Sequence, residues 1–586
     1  MNKFMSALLA GAAAVSLTAC STNTASSGNT SSAETIADQV IVGKIYTGDT
    51  EDTVVSALAV KDGVILYAGS EEDVQTYIGD TTEVTELNEN ELVVPGFVDG
   101  HTHATRLISA YETLCSIPEG ATAQECVDTI AAFIEEHPGW AYYKARGWIN
   151  SAFENGCPTA DLLDAIDTDA PIYALSSDGH SYWTNTAMME YAGVTAETED
   201  PEGGTIERYE DGTPNGCFRD TAEALISAAI PVETAEAKID GILETQAEYA
   251  AMGYTSYLEA IANEQYSPLD CPASEAYEQL DRDGELLLYT QGAFVVNNDE
   301  TAMEVLDKAI EMKEETAGGK YEVTNIKIFM DGVIEGGTAY LSEAYETDEE
   351  YYGEARWGSE ESLELLTQII VKANENGMTV HFHAIGDQAI TDAVSCVEKA
   401  YEQAGDAVKE ARNAITHLQI LNEDDFARMA ELNMVAVINP WCNKYPGFYT
   451  ETEVMYLGED RASKEYPVRK FMDAGVHCSF GTDYGASFVV EPMDCIHTIV
   501  TRMTADEDPE TLLGEEECLS VEETLKMFSS GGAYELCSEN DFGVLSEGME
   551  ADLLVLSKDI LSEASIEIEN TEVLKTMSDG VWVYTK

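Results

Sequence analysis

Short apolar runs mark both ends of the chain. Near the start they are QVIVGKIYTG, VVSALAVKDGVILYAGS and TEVTELNENELVVPG, and near the end DFGVLSEGMEADLLVLSKDI and VLKTMSDGVWVYTK. Runs of this kind are typical of β-strands, and Lys61-Asp62-Gly63 between two of them predicts a hairpin turn. We therefore predict that residues 37–92 and 541–586 together form one composite β-sandwich domain.

The middle of the chain alternates between strand and helix patterns, most clearly from Val323 onward. The strand-like segments are VTNIKIFM, MTVHFHAIGD, NAITHLQ, MVAVINP and VHCSFGTD, and the helical ones are SLELLTQIIVKANENG, ITDAVSCVEKAYEQAG, EDDFARMAELN and PVRKFMDAG. This alternation predicts an α/β fold, most economically a (β/α)8 TIM-type barrel over residues 93–540. Residues from about 104 to 254 combine helices with irregular polar segments, and we predict that they form an insertion over the barrel mouth.

The first residues have the pattern of an export signal. Residues 1–19 contain one cation, Lys3, a short apolar stretch and small residues before Cys20. Leu17-Thr18-Ala19-Cys20 resembles a bacterial lipobox, which predicts that Cys20 is lipidated, whereas an ordinary secretory signal is the alternative. Residues 20–36 are rich in Ser, Thr and Gly and are predicted to be a flexible tether. The expected location is therefore the cell membrane, by a lipid anchor on the extracytoplasmic side.

Charge narrows the choice of partners. The chain has 586 residues, of which 30 are Lys or Arg and 110 are Asp or Glu, so its formal net charge is −80. Nucleic acids and anionic lipid surfaces both require clustered basic residues, so binding to either is excluded. The hydrophobic share of 44% is ample for a large core. No CxxC pair occurs among the cysteines, which leaves buried thiols as their expected state.

Histidines cluster where the predicted strands end. His101 and His103 close ELVVPGFVDGHTH, His383 closes MTVHFH, His417 closes NAITH, and Asp483 follows VHCSFGT. The carboxyl ends of barrel strands share one face, so these side chains are expected to meet there. Imidazole nitrogens with a carboxylate suit Zn²⁺ or a similar divalent ion. For the HxH pair alone, two hydrogen-bonded histidines are the alternative.

Lys327 stands inside an apolar strand, shortly before Asp331. A buried cation is costly unless it is paired or chemically altered. The alternative is a lysine that extends along the strand to the barrel rim. Asp331 is expected to support the site from behind.

Seven motifs occur in order and carry a family resemblance. They are VVPGFVDGHTHA, DGHSYWTN, NIKIFMDGVIEGGTA, HFHAIGDQA, ITHLQ, LGEDRA with YPVRK, and GTD. From about residue 40 to the end, the chain resembles the YtcJ-like (amidohydrolase 3) branch of the metal-dependent amidohydrolase superfamily. The resemblance implies a distorted (β/α)8 barrel with a composite β-sandwich, in agreement with the pattern above.

The resemblance also implies a ligand set and one or two divalent ions, zinc being favoured. The implied ligands are His101, His103, Lys327, His383, His417 and Asp483. Lys327 stands at the position whose lysine is often carboxylated in the family, so that it bridges two metals. His381 falls outside the usual positions. The sequence departs from the commoner pattern with Gly-Thr-Asp at 481–483 and with Asn439 before Pro440.

Asp483 is the expected catalytic base, which accepts a proton from the metal-activated water and returns it to a leaving amine. By resemblance, His180 in DGHSYWTN is expected to be a catalytic and substrate-binding residue, with a loop-organising histidine as the alternative. Trp183 and Asn185 are candidate substrate-binding residues, with packing and helix capping as their alternative.

The predicted function is a metal-dependent hydrolase of a non-peptide C–N bond in a small amide, formamide or cyclic amide. One alternative is a lipid-anchored protein that captures a small solute for a transporter, which would need no water-activating metal. A glycoside hydrolase on the same barrel would need two acidic residues at strand ends, and only Asp483 is convincingly placed. We expect the protein to contact the membrane only through the lipid. The sequence is also compatible with a homodimer.

Overall fold

The computed structural model describes residues 36–105, 114–118, 120–140, 142–153, 156–201, 203–230, 234–265, 267–445, 448–487 and 491–586. The predicted signal segment, Cys20 and nearly all of the tether lie outside the described residues. Among the described residues, no helix is both long and apolar enough to cross a membrane.

The strands are numbered in chain order. They are β1 Gln39–Tyr46, β2 Val54–Lys61, β3 Val64–Gly69, β4 Glu83–Glu86, β5 Leu92–Pro95, β6 Phe97–Thr102, β7 Leu114–Ser116, β8 Tyr143–Trp148, β9 Ile172–Ser176, β10 Ser181–Thr184, β11 Gly204–Arg208, β12 Pro214–Asp220, β13 Tyr254–Glu259, β14 Tyr289–Val295, β15 Tyr321–Phe329, β16 Thr379–Ala384, β17 Ala414–His417, β18 Val435–Ile438, β19 His477–Phe480, β20 Leu553–Leu556, β21 Val573–Ser578 and β22 Val581–Thr585.

The helices lie mainly between the later strands. The α-helices span Glu71–Val74, Ala123–Glu136, Ala160–Asp164, Thr186–Ala192, Ala224–Ser227, Ala235–Met252, Pro272–Asp283, Ala302–Thr316, Glu360–Glu375, Asp387–Ala404, Asp406–Glu410, Glu423–Glu431, Val454–Leu457, Glu459–Ala462, Val468–Ala474, Pro492–Thr501, Val521–Lys526 and Gly532–Glu535. Short 3-10 turns span Gln75–Tyr77, Asn150–Ala152, Thr221–Glu223, Pro509–Thr511, Glu515–Glu517 and Ser565–Glu567, and π-helical turns span Tyr449–Glu453 and Met527–Gly531.

The two ends of the chain join in one eight-stranded sheet. Its order is β22-β21-β20-β5-β1-β2-β3, with β4 beside β1. The antiparallel pairing of β20 with β5 makes the connection, and β2 and β3 form the predicted hairpin around Gly63. Apolar side chains from both ends share a buried cluster that includes Ile45, Leu553 and Met577. The joining of the two ends is therefore confirmed.

Eight parallel strands form the barrel, in the order β6-β13-β14-β15-β16-β17-β18-β19. At the carboxyl ends of its first and last strands, the Asp483 N–H donates to the His101 carbonyl oxygen at 2.8 Å and the His103 N–H donates to the Tyr484 carbonyl oxygen at 2.7 Å. Buried Asp99 on β6 accepts hydrogen bonds from the Thr482 N–H and hydroxyl, so it joins the same edges. The predicted (β/α)8 barrel is confirmed as a nearly closed one.

The insertion between β6 and β13 contains a third sheet that the sequence pattern did not predict. Its order is β11-β12-β10-β9-β8-β7, and its own core includes Trp148, Phe153 and Trp183. These strands have three to seven residues, too short for a clear two-residue period. In β8, the alternation of YKARGW ends at Gly147 after four residues.

Candidate metal centre and active site

Most of the predicted ligands lie where barrel strands end. His101 belongs to β6, His383 to β16 and His417 to β17, whereas Asp483 follows β19. His417 and Asp483 have φ angles of 77° and 56°, in the left-handed region that non-glycine residues seldom adopt. Such strained positions concentrate at functional sites, because surrounding contacts must hold them. Here the Asp483 backbone is held by His101 on one side and by the Ser487 N–H on the other.

Three side chains converge closely enough to share one cation. The Nε2 atoms of His101 and His103 each lie 3.4 Å from Oδ1 of Asp483. One ligand atom from each of the three residues falls within 4.8 Å of the other two. His101 near the end of β6, His103 just after it and Asp483 after β19 are therefore brought together where the first and last barrel strands meet.

His383 and His417 form the neighbouring half of the site. Their ring centres are 4.5 Å apart, and the His417 ring centre is 5.4 Å from that of His101. The side-chain amide of Asn439 donates to the Gly481 carbonyl oxygen at 2.7 Å, so its oxygen faces His417 Nδ1 at 2.9 Å. Because that oxygen only accepts, Nδ1 of His417 donates, and its Nε2 keeps a lone pair for a metal.

The electrostatic surroundings keep these rings neutral. Burial lowers the pKa of His101, His383 and His417 well below the usual range, and the Lys327 charge lowers each of them further. Metal binding requires neutral imidazole, so ligands of this kind are ready to bind.

Lys327 is fully buried on β15, and its Nζ lies 3.4 Å from His101 Nε2. The same ammonium group lies 4.9 Å from the centre of the Phe329 ring. Lys327 therefore points into the barrel beside the histidines and does not extend to the rim. The whole donor set, neutral imidazoles with one carboxylate, fits a divalent ion such as Zn²⁺.

His180 reaches the same cavity from the insertion. Its Nδ1 is 2.8 Å from Oδ1 of Asp220, to which Arg356 donates at 2.6 Å, and its ring centre lies 5.1 Å from that of His383. Although burial opposes ionisation, Arg356 and His180 lower the pKa of Asp220 to about 2. The carboxylate therefore holds the Nδ1 side of the ring.

Asp220 and Arg356 were missed in the sequence analysis. Asp220 ends β12, and Arg356 lies in the long connection after β15. Their partner His180 is 40 residues from the first and 176 from the second. No local spacing signals such a contact.

Trp183 and Asn185 lie away from the cavity, which corrects their expected place at the substrate. The Trp183 ring is completely buried, and its indole N–H donates to the Thr159 carbonyl oxygen at 2.9 Å. The Asn185 side-chain oxygen accepts the N–H groups of Ile172 and Met188, each at 2.9 Å, so it caps the helix Thr186–Ala192. Trp183 therefore packs in the core of the insertion and Asn185 caps a helix, as the alternative interpretation expected.

Asp331 supports the site by joining two loops. Its carboxyl oxygens accept the backbone N–H groups of Tyr340, Ile385 and Gly386, at 2.9, 3.1 and 2.8 Å. Burial raises its pKa to about 7. These bonds fix the connection after β15 against the end of β16, where His383 stands.

The cavity that these groups surround combines metal-facing, polar and apolar walls. Its lining includes His103, Asp178, His180, Glu223, Phe329, Glu335, Arg356, His383, Ile385, His417, Trp441, Tyr466 and Asp483. A small molecule in it would contact the candidate ligands on one side and residues of the insertion on the other.

Comparison with known proteins identifies the family of the chain. A model described as Amidohydrolase family matches residues 89–584. The chain is 28% identical over 553 residues to "Putative amidohydrolase YtcJ" of Bacillus subtilis (strain 168), covering 93% of this chain and 98% of that protein. It is 26% identical over 564 residues to N-substituted formamide deformylase of Arthrobacter pascens, with 93% and 98% coverage.

Among solved structures, the fold is similar to that of an uncharacterized metal-dependent hydrolase from Pyrococcus horikoshii. The TM-score is 0.67 at 23% identity, and the match covers 90% of this chain and 99% of that one.

Proposed function

The chain belongs to the amidohydrolase family, and on this basis we propose that it is a metal-dependent hydrolase of a non-peptide C–N bond in a small amide, formamide or cyclic amide. The convergence of His101, His103 and Asp483 carries the proposal. The similarity to a protein named N-substituted formamide deformylase supports the choice of bond.

The residues that would hold zinc are the six predicted from the sequence, His101, His103, Lys327, His383, His417 and Asp483. A divalent ion held at this place would lower the pKa of a bound water and polarise a carbonyl group. Lys327 fits the set if its amine is carboxylated, because the added oxygens would replace a buried cation by ligands. Its position, 3.4 Å from His101 Nε2, supports this part of the proposal.

Two side chains of the cavity have roles at the reacting atoms. Asp483 accepts the proton of the attacking water and returns it to the leaving nitrogen. His180 faces the cavity with Nε2, because Asp220 occupies Nδ1. In its protonated form, Nε2–H donates a hydrogen bond to the substrate carbonyl oxygen. Arg356 holds Asp220 ionised for this purpose.

The test is a screen of amides, N-substituted formamides and cyclic amides with metal-free and zinc-loaded protein. We expect turnover of at least one class that is lost with chelator and restored by zinc. Protein that takes up zinc, turns over none of these classes, and yet shows a ligand-dependent rise in melting temperature would favour the solute-binding alternative.

We also propose that Cys20 carries a lipid that anchors the protein on the extracytoplasmic side of the cell membrane. Support comes from the lipobox-like Leu17-Thr18-Ala19-Cys20 and the Ser- and Thr-rich segment after it. We expect Cys20→Ser to move the protein from the membrane fraction to the soluble fraction, with Cys537→Ser as the matched control. Unchanged membrane association of Cys20→Ser would contradict the anchor.

A further inference from the structure

Behind His101, on the side away from the cavity, lie two more buried polar groups. His101 Nδ1 is 2.9 Å from His381 Nε2, and the two rings are parallel to within 7°. His381 Nδ1 in turn lies 3.5 Å from Oε1 of Glu535. Both histidines are fully buried and Glu535 is 3% exposed. The three side chains form a line from β6, through β16, to the helix Gly532–Glu535.

The backbone makes room for this line at one point. Gly100 precedes His101 on β6, and a Cβ there would overlap the Glu535 carboxyl group. Glycine is thus required for the carboxyl to lie against β6 at this depth. His381 pairs with Lys327 in the register of β15 and β16, which places its ring inside the barrel beside the ligands.

The direction of the hydrogen bonds decides what His101 can do. A neutral imidazole has one nitrogen that donates and one that accepts. Nε2 of His101 lies 3.4 Å from both Asp483 and Lys327, so this is the nitrogen that faces the metal position. To offer a lone pair there, His101 must carry its proton on Nδ1, where it donates to His381 Nε2. His381 then carries its own proton on Nδ1 and donates toward Glu535.

If only the two imidazoles were present, the hydrogen bond between them could also run in the reverse direction, from His381 to His101. With a proton on its Nε2, His381 would donate to His101 Nδ1, and His101 would be protonated on the nitrogen that faces the metal position. That form has no lone pair for an ion. Zinc on Nε2 of His101 would select the direction from His101 to His381, and the Glu535 oxygen 3.5 Å from His381 Nδ1 is the acceptor that this direction requires.

From this geometry we propose that His381 and Glu535 are positioning residues that hold His101 in the tautomer that binds metal through Nε2. The inference rests on the proposed metal-dependent function and adds two residues behind the ligands. Partners of this kind on metal-bound histidines fix the ring and typically change metal affinity by about 10–100-fold when they are removed.

The test measures zinc affinity by competition with a chromophoric chelator, starting from metal-free full-length protein. His381→Phe keeps a ring of similar size beside His101 but removes the acceptor, so we expect zinc to bind about 10–100-fold more weakly. His381→Gln restores an acceptor, and we expect it to recover part of the loss. Glu535→Gln can donate as well as accept, so we expect it to weaken zinc binding in the same direction.

His497→Gln is the matched control, because His497 is also fully buried and lies 2.9 Å from a carboxylate, that of Glu569, but neither residue lines the cavity. We expect its zinc affinity to equal that of the wild type. Melting temperatures of the metal-free forms separate a local effect from damage to the fold. If His381→Phe does not fold, the zinc affinity of Glu535→Gln alone tests the proposal.

Two results would overturn the proposal. The first is unchanged zinc affinity in folded His381→Phe and Glu535→Gln. The second is loss of zinc in His381→Phe with wild-type affinity in Glu535→Gln, since His381 would then act without Glu535. A wild type that takes up no zinc would instead refute the proposed function, so the two failures are distinguishable.

Discussion

At the residue scale, His417 and Asp483 hold their side chains on backbones that non-glycine residues avoid. Each such position costs on the order of 1–3 kcal/mol, and it persists because neighbouring hydrogen bonds determine it. For Asp483, the backbone N–H donates to the His101 carbonyl oxygen, and the backbone carbonyl oxygen accepts the N–H groups of Ala486 and Ser487. The carboxylate is thereby fixed at 3.4 Å from two imidazoles, beside the position proposed for the metal and its water.

Asp483→Asn tests this role directly. Asparagine keeps the size of the side chain and tolerates the left-handed backbone, but it cannot accept the proton from water. We expect turnover of a confirmed substrate to fall about 10²–10⁴-fold, the usual contribution of a general base. Zinc content, measured by elemental analysis, is expected to persist in part through the histidines. Near-wild-type turnover in a folded, zinc-containing variant would assign the proton transfer to another group.

Asp220→Asn tests the orientation of His180. The variant keeps the shape of the side chain but removes the charge that holds the Nδ1 side of the ring, 2.8 Å away. We expect kcat to fall by about 10-fold or more while zinc content stays unchanged, because the described side-chain partners of Asp220 are His180 and Arg356, neither of them a candidate ligand. Asp178→Asn, two residues before His180, is not a suitable control because Asp178 also lines the cavity. The exposed Asp211→Asn serves instead, and equal kcat in both variants would argue against the role.

At the element scale, the meeting of β6 with β19 places the ligands. Gly481 lies directly after β19, and a Cβ there would come within 2.6 Å of the His101 Cβ. Gly481→Ala is therefore expected to displace His101 from Asp483 and to reduce zinc content by more than half. Elemental analysis measures this. Gly475→Ala, where a Cβ would meet nothing within 4 Å but φ is 83°, controls for the loss of glycine flexibility. Full zinc occupancy in Gly481→Ala would show that the contact between Gly481 and His101 can adjust without loss of the metal site.

The composite sheet contains a buried carboxyl whose titration affects stability. Burial raises the pKa of Asp552 to about 7, although the Asp579 N–H donates to it. A folded-state pKa above the unfolded value means that the folded protein binds more protons, so stability falls as pH rises from about 4 to 7. Asp552→Asn stays neutral throughout. Its melting temperature relative to the wild type is therefore expected to increase over this range, whereas exposed Glu89→Gln should show no such trend.

The last five barrel strands, β15 to β19, and the candidate ligands on them could be predicted from the sequence, because a ligand at a strand end is a local feature. Each of His383 and His417 closes an apolar run that is a strand in the structure. The His180–Asp220–Arg356 group and the line from His101 to Glu535 could not be predicted, since each contact joins distant elements. The sheet of the insertion escaped prediction because its strands are short. Trp183 and Asn185 share the motif DGHSYWTN with His180, and the sequence alone does not separate a residue that faces the cavity from one that packs or caps a helix.

At the scale of the whole molecule, a net charge of −80 acts on the folded state by self-repulsion. Salt screens such repulsion over about 10 Å at 0.1 M ionic strength. We expect the melting temperature to rise by several degrees between about 0.02 and 0.5 M NaCl, as measured by calorimetry. Potassium chloride should have the same effect, because screening does not depend on the cation. A melting temperature that is flat or falls with salt would show that the acidic surface does not limit stability.

The sheet shared by both chain ends imposes an order on synthesis. Leu92 of β5 pairs with Leu556 of β20, which the ribosome makes 464 residues later. All eight strands of the barrel precede β20 along the chain, so a nascent polypeptide contains every candidate ligand before it can complete this sheet. Until then, β5 presents an open edge of apolar residues, a place where strands of other chains can add. A growing chain therefore depends on residues made near its end to cover a strand edge that is exposed from the time β5 is made.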